Sequence, residues 1–563
     1  MTLSDKKGVQ QIITSLAAWQ VEDVVICPGS RNAPFIVSFN RHENFNCISI
    51  RDERSAAFFA LGKVIELNKP VVLLCTSGSA PLNFAPAISE AYYQRIPLII
   101  ITADRPQEWI DQGDGQTINQ TNMYQNYIRK SYQLNGDANT ESALWYIRRC
   151  ISEGLLIATN KNKGPIHFNI QLKEPLYNTE SIDFISQQIF TEAVIEKKLS
   201  AISLEYFTKH FNSTTKIMLL VGQHHKDILL ENLLKKIATF DNVIILTEST
   251  SNMNDENFIA HIDRCITGLN QEEAKQFMPD LLITLGNAIV SKRIKSLLRN
   301  HPPKQHWNIH LFDATMDTYQ SLTHAIALEP LSFLQQIEPH ITSIKADYRK
   351  NWIQLNNKIH QRHIAFSHEV AFSDFFVFDT IFKAIPNHYH LHISNSSPIR
   401  YAQLFDYSHI SYTWCNRGTS GIDGCTSTAF GAAATSPNKS FLLITGDVSF
   451  QYDKNAFWND APIHNIKVII INNSGGGIFK IIEGSNKIEE CAEFLETTMK
   501  SNATHIAAQH NWHYLQATNA QNLASALKDF FETDKQTILE VFTDAAINPK
   551  ILEQYWHYLK EPA

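Results

Sequence analysis

Two short segments in the last third of the chain combine the residue types that hold a hard cation and a phosphate. The first runs Phe441-Leu442-Leu443-Ile444-Thr445-Gly446-Asp447-Val448-Ser449, the second Val468-Ile469-Ile470-Ile471-Asn472-Asn473-Ser474-Gly475-Gly476. Each is an apolar run that ends in an oxygen-bearing side chain and glycine. Asp447 and Asn473 stand 473 − 447 = 26 positions apart. That leaves room for one crossover helix, so neighbouring parallel strands could deliver both side chains at their carboxyl ends. Magnesium prefers octahedral oxygen ligands and commonly takes one or two carboxylates, leaving other positions to phosphate and water. Either half alone reads as a turn; together they predict a cation and diphosphate site.

Other groups could do chemistry elsewhere. Glu53 follows Arg51-Asp52 at the start of a helical pattern, where the plain reading is that it complements the helix dipole. Six cations, Arg31, Arg105, Lys292, Arg293, Arg400 and Arg417, fall in segments near expected strand ends. Singly each reads as a surface ion pair of little value, but guanidinium forks recurring in this way suit carboxylate-bearing ligands. His388, His390 and His392 share one strand face by their period of two, and His360 and His363 form a weaker pair. A zinc hydrolase or metal-binding module could be built on them, but zinc sites draw on mixed spacings and supporting groups, so a polar strand face is the reading preferred here.

Positioning such groups falls to a repeated strand and helix pattern. Runs of Val, Ile and Leu at residues 24–27, 71–75 and 98–102, then 217–221, 243–246, 281–285 and 309–312, then 391–394, 441–445, 468–471 and 538–542 read as buried parallel strands. A chain of 563 residues exceeds one core. The economical architecture is α/β, with three doubly wound domains whose sheets are mainly parallel: residues 1–180, 200–345 and 365–563. Polar stretches near 179–205 and 341–367 are the expected connectors. Three similar sheets would also fit a triplicated fold.

Composition narrows the function classes. Hydrophobic residues are 44% and charged residues 19%, an ordinary globular balance. A net charge of -7, without a long Lys/Arg run, argues against nucleic acid or an anionic membrane as partner. The N-terminus lacks the apolar stretch of a secretory signal, and no apolar run approaches the roughly 20 residues that span a bilayer. The eight cysteines show no C-x-x-C spacing, so the expectation is a reduced cytoplasmic protein without a disulfide framework.

Gly446-Asp447 followed by Asn472-Asn473 resembles the signature of thiamine-diphosphate enzymes. The resemblance implies thiamine diphosphate as cofactor, with Gly446, Asp447, Val448, Ser449, Asn473 and Gly475 at its diphosphate. Asp447, Asn473 and the Gly475 carbonyl would hold Mg2+ (or Mn2+). It makes Glu53 the catalytic residue, hydrogen-bonded to the aminopyrimidine ring, and Ile422 the apolar residue that bends the cofactor. Val448 departs from the commonest form, which has glycine there, and points to a subfamily. In this family the pyrimidine and diphosphate sites come from two subunits, so a homo-oligomer, dimer or tetramer, is implied.

Further segments narrow the choice: Cys27-Pro28-Gly29-Ser30-Arg31-Asn32, Thr102-Ala103-Asp104-Arg105-Pro106, Gly115-Gln116-Thr117-Ile118-Asn119-Gln120, Ser291-Lys292-Arg293, Asn395-Ser396 with Arg400, and Asn416-Arg417-Gly418-Thr419-Ser420-Gly421-Ile422-Asp423-Gly424. Along essentially the whole chain they resemble the synthases that decarboxylate 2-oxoglutarate and add the succinyl-semialdehyde unit to isochorismate. The product is 2-succinyl-5-enolpyruvyl-6-hydroxy-3-cyclohexene-1-carboxylate and CO2, in menaquinone biosynthesis. By that resemblance Ser396, Arg400 and Arg417 hold the succinyl carboxylate, and Ser30, Arg31, Arg105, Gln116, Lys292 and Arg293 receive isochorismate. Ile478 and Phe479 form an apolar wall. Gly115 stands where some members carry an amide, which puts one substrate hydrogen bond in doubt. A 2-oxoacid decarboxylase or acetolactate-type synthase is the rival with the same cofactor, and a catalytically dead relative is disfavoured by the intact Glu53, Asp447 and Asn473. No dinucleotide fingerprint occurs in the middle third, so no flavin is expected.

Overall fold

The computed structural model describes residues 1–161, 163–182, 189–193, 195–481, 484–485 and 488–560. Strands buried on both faces must be apolar throughout, and the β-branched runs comply. The first sheet contains β1 (Asp23–Ile26), β2 (Asn46–Ser49), β3 (Val71–Cys75), β4 (Leu98–Asp104), β5 (Ser131–Asn135) and β6 (Ile166–Gln171), hydrogen-bonded in the order β2-β1-β3-β4-β6-β5. The second contains β7 (Ile217–Val221), β8 (Val243–Leu246), β9 (Phe258–Ile259), β10 (Leu281–Leu285), β11 (Gln305–Ile309) and β12 (His324–Ile326), in the order β9-β8-β7-β10-β11-β12. The third contains β13 (Tyr389–Ile393), β14 (Tyr412–Trp414), β15 (Ser440–Gly446), β16 (Ile466–Asn472), β17 (His513–Ala517) and β18 (Thr537–Phe542), in the order β14-β13-β15-β16-β18-β17. Every pairing in these sheets is parallel, for example Ile26 with Leu74 and Gly446 with Ile471.

Counted within each sheet, the first and third share the order 2-1-3-4-6-5 while the middle one is 3-2-1-4-5-6. Triplication therefore describes only the outer pair. The middle order is that of dinucleotide-binding sheets, a point taken up below. The strand expected at 309–312 lies earlier, at Gln305–Ile309; Leu311 and Phe312, though apolar, follow in a turn. Of the expected connectors, residues 183–188 and 194 lie outside the described residues. The second carries the 22-residue helix Tyr348–Glu369.

Successive strand residues bury on opposite faces. Val24, Ile26, Val72 and Leu74 enter one core, whereas Val25, Cys27, Leu73 and Cys75 enter another that also contains Phe430, Phe441 and Val468 of the third sheet's unit. The first and last thirds thus share one core. Its seam is the crossing of helices Glu53–Leu67 and Cys425–Thr435, where glycine permits backbone contact: a Cβ on Gly62 would lie 2.0 Å from the Thr428 carbonyl oxygen, and one on Gly431 1.9 Å from that of Phe59. Glu66 ties the seam's end. It accepts from Ser436 Oγ and Lys439 Nζ, each at 2.7 Å. All eight cysteines are free, and among the described residues no helix is long and apolar enough to cross a membrane.

Candidate active site

Adjacent strands β15 and β16 bring Asp447 and Asn473 to one edge, as their spacing predicts. Both line a cavity of about 550 Å³ together with Lys292, Ser396, Arg400, Arg417, Ile422, Gly446, Val448, Ser449, Gly475, Ile478 and Phe479. Arg293 lines a second cavity of about 380 Å³ that shares Lys292, Ser397, Arg400 and Ile478 with the first. The two spaces are therefore neighbours, with these side chains between them.

Around Asp447 the hydrogen bonds leave oxygen pointing at the cavity. Asp447 accepts from the backbone N–H of Val448 at 2.7 Å and of Gly475 at 2.8 Å. Burial, with the nearby Asp374 adding to it, outweighs those bonds and pushes the Asp447 carboxyl up to about 7. Asn473 donates through Nδ2 to Asp374 Oδ2 at 2.9 Å, and its Oδ1 is buried without a partner. A local chain fixes that orientation. The Asp374 N–H occupies Asn548 Oδ1 (2.8 Å), so Asn548 donates through Nδ2 to Thr543 Oγ1 (3.1 Å). Thr543 then gives its single proton to Asp374 Oδ1 (2.6 Å). Two buried carboxylates and an unpaired amide oxygen without a counter-charge are what a divalent cation would satisfy. The donor set fits such an ion, and the glycine-lined space beside it fits a diphosphate.

The backbone here is strained. Gly475 has φ +145, and a Cβ on it would lie 2.7 Å from the Glu496 carbonyl oxygen. Ser396, Ser420 and Ser474 also hold positive φ, at 76, 61 and 65. Such conformations cluster at ligand sites because packing must over-determine them.

Opposite the oxygen cluster stand the cations. Arg417 donates through Nη1 to Asn395 Oδ1 at 2.9 Å, and the Nε of both Arg417 and Arg400 is buried without a partner. Burial and the neighbouring Arg417 lower the affinity of Arg400 for its proton. Arg293 donates to Thr267 Oγ1 at 3.1 Å, with its guanidinium 4.2 Å from the centre of the Trp556 ring. Asp263 lies among Lys292, Arg293 and Arg400 and offsets part of their charge; the positive charge that remains on this wall suits an anion. The loop bearing Arg417 is held by Glu90 of the first third, which accepts from Gly418 N (2.8 Å), Thr419 N (2.6 Å) and Thr419 Oγ1 (2.9 Å).

Glu53, Ser30, Arg31, Arg105 and Gln116 line neither cavity. They belong to the loops and helix starts of the first sheet. Asp52 caps helix Glu53–Leu67, accepting from Ser55 N at 2.9 Å, and also accepts from Asn455 Nδ2 at 2.8 Å. The capping work is thus done by Asp52, which leaves the Glu53 carboxyl for another task; burial raises its pKa. Arg31 is 3% exposed and donates to the Leu172 carbonyl at 3.0 Å; its other terminal nitrogen lies 3.3 Å from Glu174. Arg105 reaches the Gly115 carbonyl at 2.9 Å, Asp114 at 3.4 Å and the same Glu174 at 3.9 Å. Gln116 sits at φ +56 against Gly78, and Ser30 is exposed. Lys292 and Arg293, grouped with these residues by the sequence, lie instead with Arg400.

Sequence reasoning missed Asp374 and Glu90. Asp374 follows Ser373, a helix N-cap that accepts from Phe376 N, so its only local signal is that of a first-turn acid. Glu90 lies mid-helix and nothing local marks it. The histidine run resolves as packing: His390 and His392 stack near Phe441, His390 Nδ1 stands 3.7 Å from Glu66, and burial lowers His392 to about 4. Among the described residues no group of three His, Cys, Asp or Glu is placed to hold a metal.

Paired parallel sheets with an oxygen cluster at the strand tips of one define the class of thiamine pyrophosphate enzymes, and family models agree. Residues 6–123 match the thiamine pyrophosphate enzyme N-terminal TPP binding domain and residues 396–541 the C-terminal one. Close relatives narrow the class. The chain is 41% identical over 550 residues to 2-succinyl-5-enolpyruvyl-6-hydroxy-3-cyclohexene-1-carboxylate synthase of Flavobacterium psychrophilum, and 40% identical over 570 residues to that of Christiangramia forsetii, with 98% of each chain covered in both cases. It is 36% identical to that of Bacteroides thetaiotaomicron, over 99% of this chain and 100% of the other. The chain belongs to the 2-succinyl-5-enolpyruvyl-6-hydroxy-3-cyclohexene-1-carboxylate synthase family.

Proposed function

We propose that the protein decarboxylates 2-oxoglutarate and adds the remaining succinyl-semialdehyde unit to isochorismate, giving 2-succinyl-5-enolpyruvyl-6-hydroxy-3-cyclohexene-1-carboxylate and CO2 for menaquinone biosynthesis. One observation carries the reading: the partnerless oxygen of Asn473 and the partnerless Nε atoms of Arg400 and Arg417 border the same cavity. Bound there, thiamine diphosphate supplies the chemistry that lets a 2-oxoacid lose CO2 and pass on its acyl unit. Asp447, Asn473 Oδ1 and the Gly475 carbonyl would hold Mg2+ or Mn2+, and Gly446, Val448 and Ser449 would receive the diphosphate. Ile422, which lines the cavity, would be the apolar residue under the cofactor.

The residues of this chain bind and orient. Arg400 and Arg417, with Ser396, clamp the distal carboxylate of 2-oxoglutarate. Lys292 and Arg293 draw the carboxylates of isochorismate onto the Ile478 and Phe479 wall, which keeps water out. Arg31 and Arg105 share Glu174, whose side chain is 72% exposed, so an incoming carboxylate can take its place. Glu53 holds a proton at the pyrimidine ring, a task suited to its raised pKa. Because Glu53, Ser30, Arg31, Arg105 and Gln116 lie apart from the cavity of their own chain, a homo-oligomer, dimer or tetramer, completes each site, with Glu53 of one subunit serving the other. We assign the domains to 1–180, 200–345 and 365–563, a division supported by each range holding one six-stranded sheet.

The test supplies purified protein with thiamine diphosphate, Mg2+, 2-oxoglutarate and isochorismate. The reading expects CO2 and the coupled product in equal amounts. Rapid turnover of pyruvate with no use of isochorismate would favour an acetolactate-type enzyme instead.

A further inference from the structure

The middle sheet has the strand order of a dinucleotide-binding fold, yet the two loops that would part around a nucleotide's phosphates are bonded to each other. In such sheets the ligand sits between the loops after the first and fourth strands, and an acid after the second strand takes the ribose. Here the loops after β7 and β10 touch backbone to backbone. A Cβ on Gly222 would lie 1.9 Å from the Asn287 carbonyl oxygen; Asn287 N donates to the Gln223 carbonyl (2.8 Å), and Gln223 N to that of Ala288 (3.2 Å).

The acid after the second strand is Glu248, 1% exposed. Its carboxylate accepts from Val290 N at 2.6 Å and Ser291 N at 2.7 Å. Those are the two residues that precede helix Lys292–Asn300, and Ser291 caps that helix and bonds to Asp263. Glu248 also starts the buried turn Ser249–Ser251, which docks on the third sheet's unit. Ser249 N donates to Gln403 Oε1 (3.1 Å) and Gln403 Nε2 to Ser249 Oγ (2.7 Å). Gln403 caps the helix that carries Arg400. A chain of short hydrogen bonds therefore runs from the Arg400 helix through Glu248 to the helix start that carries Lys292 and Arg293.

We propose that Glu248 is a positioning residue: it acts as a strut that fixes Lys292 and Arg293 relative to Arg400, and so sets acceptor binding. This rests on the reading that Lys292 and Arg293 take the carboxylates of isochorismate. A carboxylate accepts both backbone N–H groups, whereas a glutamine turns its own NH2 toward one of them and pushes it away. An ångström of displacement at a carboxylate clamp costs up to roughly 100-fold.

The test compares Glu248→Gln with Arg293→Ala and with the double variant, measuring KM for each substrate, isochorismate-independent decarboxylation of 2-oxoglutarate, and thiamine diphosphate affinity by calorimetry. Glu248→Gln is expected to raise KM for isochorismate roughly 10-fold or more, leaving decarboxylation and cofactor affinity as in the parent. The double variant is expected to be little worse than Arg293→Ala alone. A normal isochorismate KM in Glu248→Gln beside a raised one in Arg293→Ala overturns the strut but keeps the acceptor reading. Normal values in both Glu248→Gln and Arg293→Ala overturn both. Equal losses for both substrates with weaker cofactor binding reveal only a folding role and also overturn it. Should Glu248→Gln fail to fold, Glu248→Asp, which keeps the charge but withdraws it by one methylene, is judged by the same criteria.

Discussion

Replacing Asp374 by asparagine should turn the Asn473 side chain round. Thr543 has one proton and gives it to Asp374, while it accepts from Asn548 Nδ2. The introduced amide keeps the Thr543 proton bonded only by facing it with its oxygen, which leaves its NH2 opposite the Nδ2 of Asn473. Two donors cannot share that 2.9 Å contact, so the Asn473 amide flips and presents NH2 to the cavity in place of Oδ1. An amide nitrogen is no ligand for Mg2+. Keeping the original orientation instead leaves buried donors unpaired, at about 1–3 kcal/mol. The flip weakens cation binding by roughly 10-fold to 100-fold, the usual effect of losing a group that orients a ligand. The assay follows thiamine diphosphate binding by tryptophan quenching while Mg2+ is titrated. The Mg2+ midpoint should move up by that factor, with the melting point of the cofactor-free protein little changed. An unaltered midpoint in a folded variant would refute the orientation argument.

Three further outcomes follow from the structure. Gly431→Ala drives a methyl into the Phe59 carbonyl, so the two helices must separate; overpacking of this kind costs about 1–3 kcal/mol or more, and a parental melting temperature would show the seam to be slack. Burial raises the Glu66 carboxyl, but His390, Lys439 and Ser436 outweigh it and bring it to about 2, with the side chain 4% exposed. Its folded pKa is below its unfolded one, so its stabilisation, about 3 kcal/mol on the order of magnitude, is present above pH ~4.5 and drains as pH falls toward 2. Denaturant titrations of Glu66→Gln against the parent should differ most near neutrality and converge in acid; a constant gap would contradict this. Glu53→Gln should bind thiamine diphosphate with Mg2+ but turn over at least ~100-fold more slowly, and parental turnover would remove Glu53 from the mechanism.

The core strands were legible because burial on both faces leaves a chemical mark. Val71–Cys75, Ile217–Val221, Val243–Leu246 and Leu281–Leu285 stand where their apolar runs lie. Edge strands carry no such mark. Asn46–Ser49 and His513–Ala517 flank their sheets with mixed residues, and Ile166–Gln171 hides its character because His167 and Asn169 are buried polar residues, satisfied by Thr102 at 2.7 Å each. The oxygen cluster was readable since both its ligands end strands that are themselves readable. Asp374, Glu90 and Glu248 were not, because each acts across the fold on a loop from a distant part of the chain. The different strand order of the middle sheet was equally hidden, since a β and α alternation is the same string in either topology.

The most direct test is a calorimetric titration of the purified protein with thiamine diphosphate, with Mg2+ and then with chelator, repeated on Asp447→Ala. Binding should need the divalent ion and vanish in the variant. Equal affinity under chelator, or in Asp447→Ala, would contradict the assignment of the cavity.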